Sequence, residues 1–133
     1  MATKQKARKV AVINSSAAVI ELLRTLLETA GYETVTAHID DIKSGRLDLL
    51  GFLKTHDPQV VIYDISIPYE ENWTFLKLVR DTDAVHGRRF IVTTTNKARL
   101  EQLVGPTDTL EIVGKPFDLD QILVAVQGKT ERS

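Results

Sequence analysis

The chain has 133 residues, 43% of them hydrophobic and 26% charged, with 17 Lys and Arg against 18 Asp and Glu for a net charge of −1. This length fits one globular domain, since domains run to about 150 residues. The absence of cysteine excludes disulfides, thiolate metal sites and a cysteine nucleophile, and the balanced charge gives no basic field for nucleic acid. No apolar run approaches the roughly 18 residues of a membrane span. The basic start, residues 1–8, leads into no apolar signal core. A cytoplasmic protein is therefore expected, with one domain over 1–133. Its core covers about 9–127, between a basic N-terminal tail and a polar C-terminal tail over 128–133.

The predicted elements alternate. Val10-Ala11-Val12-Ile13 is a short apolar run, like a strand buried on both faces. Val19, Leu22, Leu23, Leu26, Leu27 and Ala30 share one helical face, and Gly31 stops that helix. Thr34–Ala37 reads as a weaker strand. A helical pattern on Ile42, Leu49, Leu50 and Leu53 follows, with Asp41 as its expected N-cap. Gly45 and Gly51 inside it predict a broken helix, and Asp57-Pro58 ends it. Val60–Tyr63 is the strongest strand signal. Trp73, Phe75, Leu76 and Val79 predict a third helix, with Trp73 partly buried. Phe90–Thr93 is a fourth strand, and Leu100, Leu103 and Val104 a fourth helix closed by Gly105-Pro106. Leu110–Val113 is the fifth strand. Leu119, Ile122, Leu123 and Val126 form the last helix, with Asp118 as N-cap and Gln121 at its third position.

Five β-α units with continuous apolar strands predict an α/β, doubly wound parallel sheet covered on both faces. Sites in such sheets lie outside the carboxyl ends of the strands. Asp64 follows the third strand, Thr94 and Thr95 the fourth, and Gly114-Lys115-Pro116-Phe117 the fifth. A carboxylate there can take a phosphoryl group as an acyl phosphate, and an ammonium and a hydroxyl can hold its oxygens. The alternatives are a capping Asp64, a solvated Lys115 and a β-favouring threonine. With three consecutive threonines, Thr93 to Thr95, a register slip of one would exchange their roles.

With these residues in view, the chain resembles the receiver domain of bacterial two-component response regulators. The resemblance runs from about Lys9 to Gln127. It is carried by Tyr63-Asp64 with Pro68 four residues on, by Thr94, and by Lys115-Pro116-Phe117. It implies a flavodoxin-like (βα)5 fold with strand order 2-1-3-4-5. It also implies Asp64 as phosphoacceptor, Lys115 as its ion-pair partner, Thr94 as the switch hydroxyl and a cis Lys115-Pro116 bond. The backbone carbonyl of Ser66 would be a Mg²⁺ ligand beside Asp64. Expected partners are a histidine kinase or phosphotransfer protein, and a downstream protein reached through the fourth helix, fifth strand and last helix. Homodimer formation is left open, and neither nucleic acid nor membrane is expected as a direct partner. At most the chain would catalyse phosphoryl transfer onto its own Asp64.

Three departures from the family pattern stand out. The acidic pair that usually follows the first strand is Asn14-Ser15 here, two neutral and weak substitutes as metal ligands, so weakened Mg²⁺ binding is expected. The aromatic residue commonly found three before the lysine is Ile112. Asn72 stands where glycine is common, in keeping with a left-handed backbone. The acidic loop residues Glu70 and Glu71 read as solvated rather than as replacement ligands. His38, His56 and His86 show no metal-ligand spacing, and Gly128-Lys129-Thr130 lacks the strand and helix of a phosphate loop. Two other readings compete. One is a pseudo-receiver that only binds partners, supported by Asn14 and Ser15. The other is a flavodoxin-like binder of a small phosphate-containing ligand, weakened by the glycine-free first turn and by Asp64.

Overall fold

A computed structural model describes residues 9–82, 87–105, 110–116 and 118–128. Five strands, β1 (Lys9–Asn14), β2 (Glu33–His38), β3 (Val60–Asp64), β4 (Arg89–Thr94) and β5 (Leu110–Gly114), form one sheet in the order β2-β1-β3-β4-β5. Every pairing is parallel. The helices are α1 (Ala17–Thr29), α2 (Ile39–Lys43), α3 (Leu49–His56), α4 (Tyr69–Arg80), α5 (Lys97–Val104) and α6 (Leu119–Gln127). The expected α/β sheet and strand order are both found.

Side chains alternate across the strands and fill two core layers. Val10, Val12, Val60, Ile62, Ile91 and Val113 pack with α1 and α6 through Leu23, Leu27, Ile122 and Val126. Ala11, Ile13, Val61, Tyr63, Phe90 and Val92 pack with α2 to α5 through Ile39, Leu53, Leu76 and Leu100. Consecutive strand residues serve opposite layers, as the pleat requires. The apolar runs are continuous because both layers are dry.

The expected break in the second helical pattern is real and yields two helices. Gly45, at φ 83°, lies in the gap between α2 and α3. Its left-handed backbone suits a residue without Cβ. Three local expectations change. His38, not Asp41, caps α2, its Nδ1 accepting from the Asp40 N–H at 3.2 Å, while the Asp41 carboxylate accepts from Arg46 Nε at 3.2 Å. The third predicted helix begins at Tyr69, so Asn72 is helical and needs no left-handed backbone. Trp73 is a core residue, 7% exposed, beneath the sheet with Leu76 and Val79. At α6 the predicted capping partner is in place, with Gln121 Oε1 accepting from the Asp118 N–H at 2.8 Å. The tails over 1–8 and 129–133, together with His86, Pro106 and Phe117, lie outside the described residues.

Candidate functional site

The carboxyl ends of β1, β3, β4 and β5 converge around Asp64, the last residue of β3. Its carboxylate is 2% exposed, and Lys115, just past β5, brings its Nζ to 2.7 Å from Asp64 Oδ1. The second donor on Oδ1 is the Thr93 hydroxyl, at 2.7 Å. Asp64 and Thr93 are register partners in the parallel pairing of β3 with β4, so their side chains project from the same face of the sheet. Thr94, one residue on, belongs to the opposite face. Its fully buried hydroxyl accepts from the Asn96 N–H at 3.3 Å, and its carbonyl accepts from the Lys115 N–H at 2.6 Å. Thr94 thus closes the β4–α5 turn and anchors the lysine's backbone, while Thr93 holds the carboxylate. Within their strands Thr93 shares a face with Ile91 and Asp64 with Ile62, and the β3–β4 register puts those two faces on the same side. The Lys115-Pro116 bond is cis as expected, and Ile67-Pro68 is cis too.

A cavity of about 190 Å³ opens over the carboxylate, lined by Ser15, Ile39, Asp40, Lys43, Tyr63, Asp64, Ser66 and Asn72. Burial, reinforced by the neighbouring Asp64 charge, pushes the Tyr63 hydroxyl up to about 12 from its ordinary 10.0. Between pH 10 and 12 the folded chain therefore keeps a proton that the unfolded chain releases, so stability falls as pH rises through that window. The expected loss is about 2–3 kcal/mol at pH 12. Urea titrations at pH 9 and pH 12 test this. Tyr63→Phe should lose less stability than wild type between them, and an equal loss would refute the assignment.

The donors for Mg²⁺ do not fit the ion that the fold family implies. Mg²⁺ calls for hard, mostly anionic oxygens. Asn14 is buried and its Oδ1 already accepts from the Ser16 N–H at 2.9 Å. The Ser66 carbonyl accepts from Asn72 Nδ2 at 2.8 Å. Asp64 is paired with Lys115, and in the cavity lining the charge of Asp40 is balanced by that of Lys43. Glu70 is paired with Arg99, Nη2 to Oε2 at 2.6 Å, and so does not replace the missing acids. Among the described residues no three His, Asp or Glu side chains group to hold a metal.

The first β-α turn also disfavours a phosphate ligand. Asn14 takes the Ser16 N–H, and Ser16 Oγ accepts from the Val19 N–H at 3.2 Å as the cap of α1. Ile112 is half-buried against the α2–α5 core layer and lines a groove of about 340 Å³ with Lys97, Glu111, Asp120 and Val124. This groove lies on the face of α5, β5 and α6, the elements the resemblance assigns to the downstream target. Among the described residues, no helix is long and apolar enough to cross a membrane.

The class of protein is a parallel five-stranded α/β domain with a buried aspartate on its central strand and a lysine just past the last strand reaching it. The chain belongs to the response regulator receiver domain family, which it matches over residues 10–127. It is similar to the chemotaxis protein CheY4 of Vibrio cholerae, at 26% identity and TM-score 0.68, over 91% of this chain and 97% of that one. A CheY-like receiver domain from Methylobacillus flagellatus aligns at 20% identity and TM-score 0.69, over 92% and 98% of the two chains. A response regulator from Burkholderia multivorans aligns at 25% identity and TM-score 0.61, over 96% of each. No curated protein matches the chain.

Proposed function

We propose that this receiver domain accepts a phosphoryl group on Asp64 from a histidine kinase or phosphotransfer protein and relays the signal by protein contact. One observation carries the reading: an ammonium and a hydroxyl converge on a single oxygen of a buried carboxylate. Lys115 and Thr93 both engage Oδ1, which leaves Oδ2 as the nucleophile. In the transfer, Oδ2 forms a bond to phosphorus as the donor's bond to phosphorus breaks. The leaving group departs with the bonding pair. The new acyl phosphate then presents oxygens that Lys115 can neutralise and Thr93 can hydrogen-bond. Thr94, behind the same turn, positions Lys115 through its carbonyl. The groove of α5, β5 and α6, with Val124 62% exposed beside it, supports a target-binding face. The setting is the cytoplasm.

The neutral Asn14 and Ser15 favour a second reading, a pseudo-receiver that binds partners without carrying phosphate. Intact-mass measurement after incubation with acetyl phosphate separates the two. A single phosphoryl adduct on wild type that vanishes in Asp64→Asn supports the phosphoacceptor. No adduct with or without Mg²⁺ would leave the pseudo-receiver.

A further inference from the structure

The cavity over Asp64 has a charge balance at odds with a metal site. Its lining includes two acidic residues, Asp40 and Asp64, and one basic residue, Lys43. Lys115 adds a second ammonium on Asp64 from behind. The formal charges therefore sum to zero before any ion enters. Lys43 closes α2, the short helix that ends before Gly45, and it is exposed. The β1–α1 turn contributes no charge, with Ser15 lining the cavity and Asn14 accepting from the Ser16 N–H.

We infer that Lys43 takes the place of a divalent cation in this cavity: it disfavours metal binding and supplies the second positive charge to a phosphoryl group on Asp64. The second half rests on the reading of Asp64 as phosphoacceptor, and the first half does not. Lysine suits the role chemically. Its ammonium is a compact point charge with three donors on a flexible stem, able to follow a tetrahedral oxyanion. Lys115 would hold one side of the incoming group and Lys43 the solvent side. With an acyl phosphate as donor, Asp64 Oδ2 bonds to phosphorus, the donor's P–O bond breaks, and its electron pair leaves on the donor carboxylate. No proton or electron is required from elsewhere. The two ammonium groups spread the charge that Mg²⁺ would otherwise neutralise. A unit positive charge about 6 Å from a divalent ion costs it about tenfold in affinity by Coulomb's law, even at the dielectric of water, and Lys43 lines a cavity of that scale.

Two experiments on the full chain test this. Because Lys43 is exposed on a surface helix, its variants keep the core intact. In the first, acetyl phosphate is the probe and intact mass the readout, with EDTA or with Mg²⁺. Wild type should form its adduct in EDTA at a rate within about twofold of that in Mg²⁺, and Lys43→Gln should slow the EDTA reaction about tenfold. A wild-type adduct that forms only with Mg²⁺, or a Lys43→Gln rate equal to wild type, overturns the inference. In the second, Mg²⁺ alone is titrated calorimetrically. Lys43→Gln, which removes the charge and adds no carboxylate, should bind it about tenfold more tightly than wild type. Equal affinities overturn the exclusion of metal by Lys43. Failure of the phosphoacceptor reading is distinguishable, because it removes the adduct under every condition and leaves the Mg²⁺ titration intact.

Discussion

Replacing Lys115 with methionine is expected to destabilise the protein by about 2–3 kcal/mol, whereas Asp64→Asn should change stability by about 1 kcal/mol or less. The asymmetry follows from burial. Asp64 is 2% exposed and Lys115 28% exposed, so the two partners do not leave equivalent groups behind. Without Lys115, an ionised carboxylate stays in the interior with the Thr93 hydroxyl as its donor. Without the Asp64 charge, the lysine turns its ammonium to water, and asparagine keeps an oxygen for Thr93. The lysine's partial exposure sets the cost at or below the low end of that for breaking a fully buried pair. The double variant Asp64→Asn/Lys115→Met should recover most of the loss, because no uncompensated buried charge remains. Urea unfolding of the four proteins provides the cycle. A Lys115→Met variant as stable as Asp64→Asn would show that the pair does not form in solution.

Leu76→Ala should cost about 3–4 kcal/mol, while Leu78→Ala, two residues on in the same helix, should stay within about 0.5 kcal/mol. The chemistry and the helix propensity change are identical at the two sites. The environments are not. Leu76 is fully buried between α4 and the sheet, in the layer that contains Trp73 and Val79, and Leu78 is 64% exposed. Alanine at 76 leaves a cavity that close-packed neighbours cannot collapse into. Alanine at 78 leaves a surface already in contact with water. Domains of this kind hold only about 5–15 kcal/mol in total, so Leu76→Ala should lower the melting temperature markedly. Thermal and urea unfolding of both variants check the contrast, and comparable losses would contradict the orientation of α4.

Much of the fold was legible because continuous apolar strands and amphipathic helices carry different periods. Val10–Ile13 and Val60–Tyr63 stand out as strands, and both prove buried on two faces. Gly45 marked the break between α2 and α3 correctly. Local caps were less legible, since Asp41 and His38 are both competent acceptors near one helix start and only the backbone path decides between them. At the site, strand-end position brought Asp64 and Lys115 together. It could not separate Thr93 from Thr94, because register between strands is a tertiary property. Lys43 gave no signal in the sequence: it enters the cavity only through the turn that α2 makes after β2. Nor did the sequence show that Arg99 takes Glu70 away from the site.

The first residue of β4, Arg89, reaches the C-terminal end of α6. Its Nη1 donates to the Val126 carbonyl at 2.9 Å and its Nη2 to the Ala125 carbonyl, and Gly128 lies against the guanidinium. The cation sits where the helix dipole is negative. Mechanically, this makes α6 a pointer pinned at its tail. Nine residues give it a length of about 13 Å, so a tilt of about 10° about the pin moves the Leu119 end by about 2 Å. That end leads back along the chain to Lys115, which pairs with Asp64. A displacement of the lysine would therefore act at the full arm of the lever, with Arg89 holding its pivot.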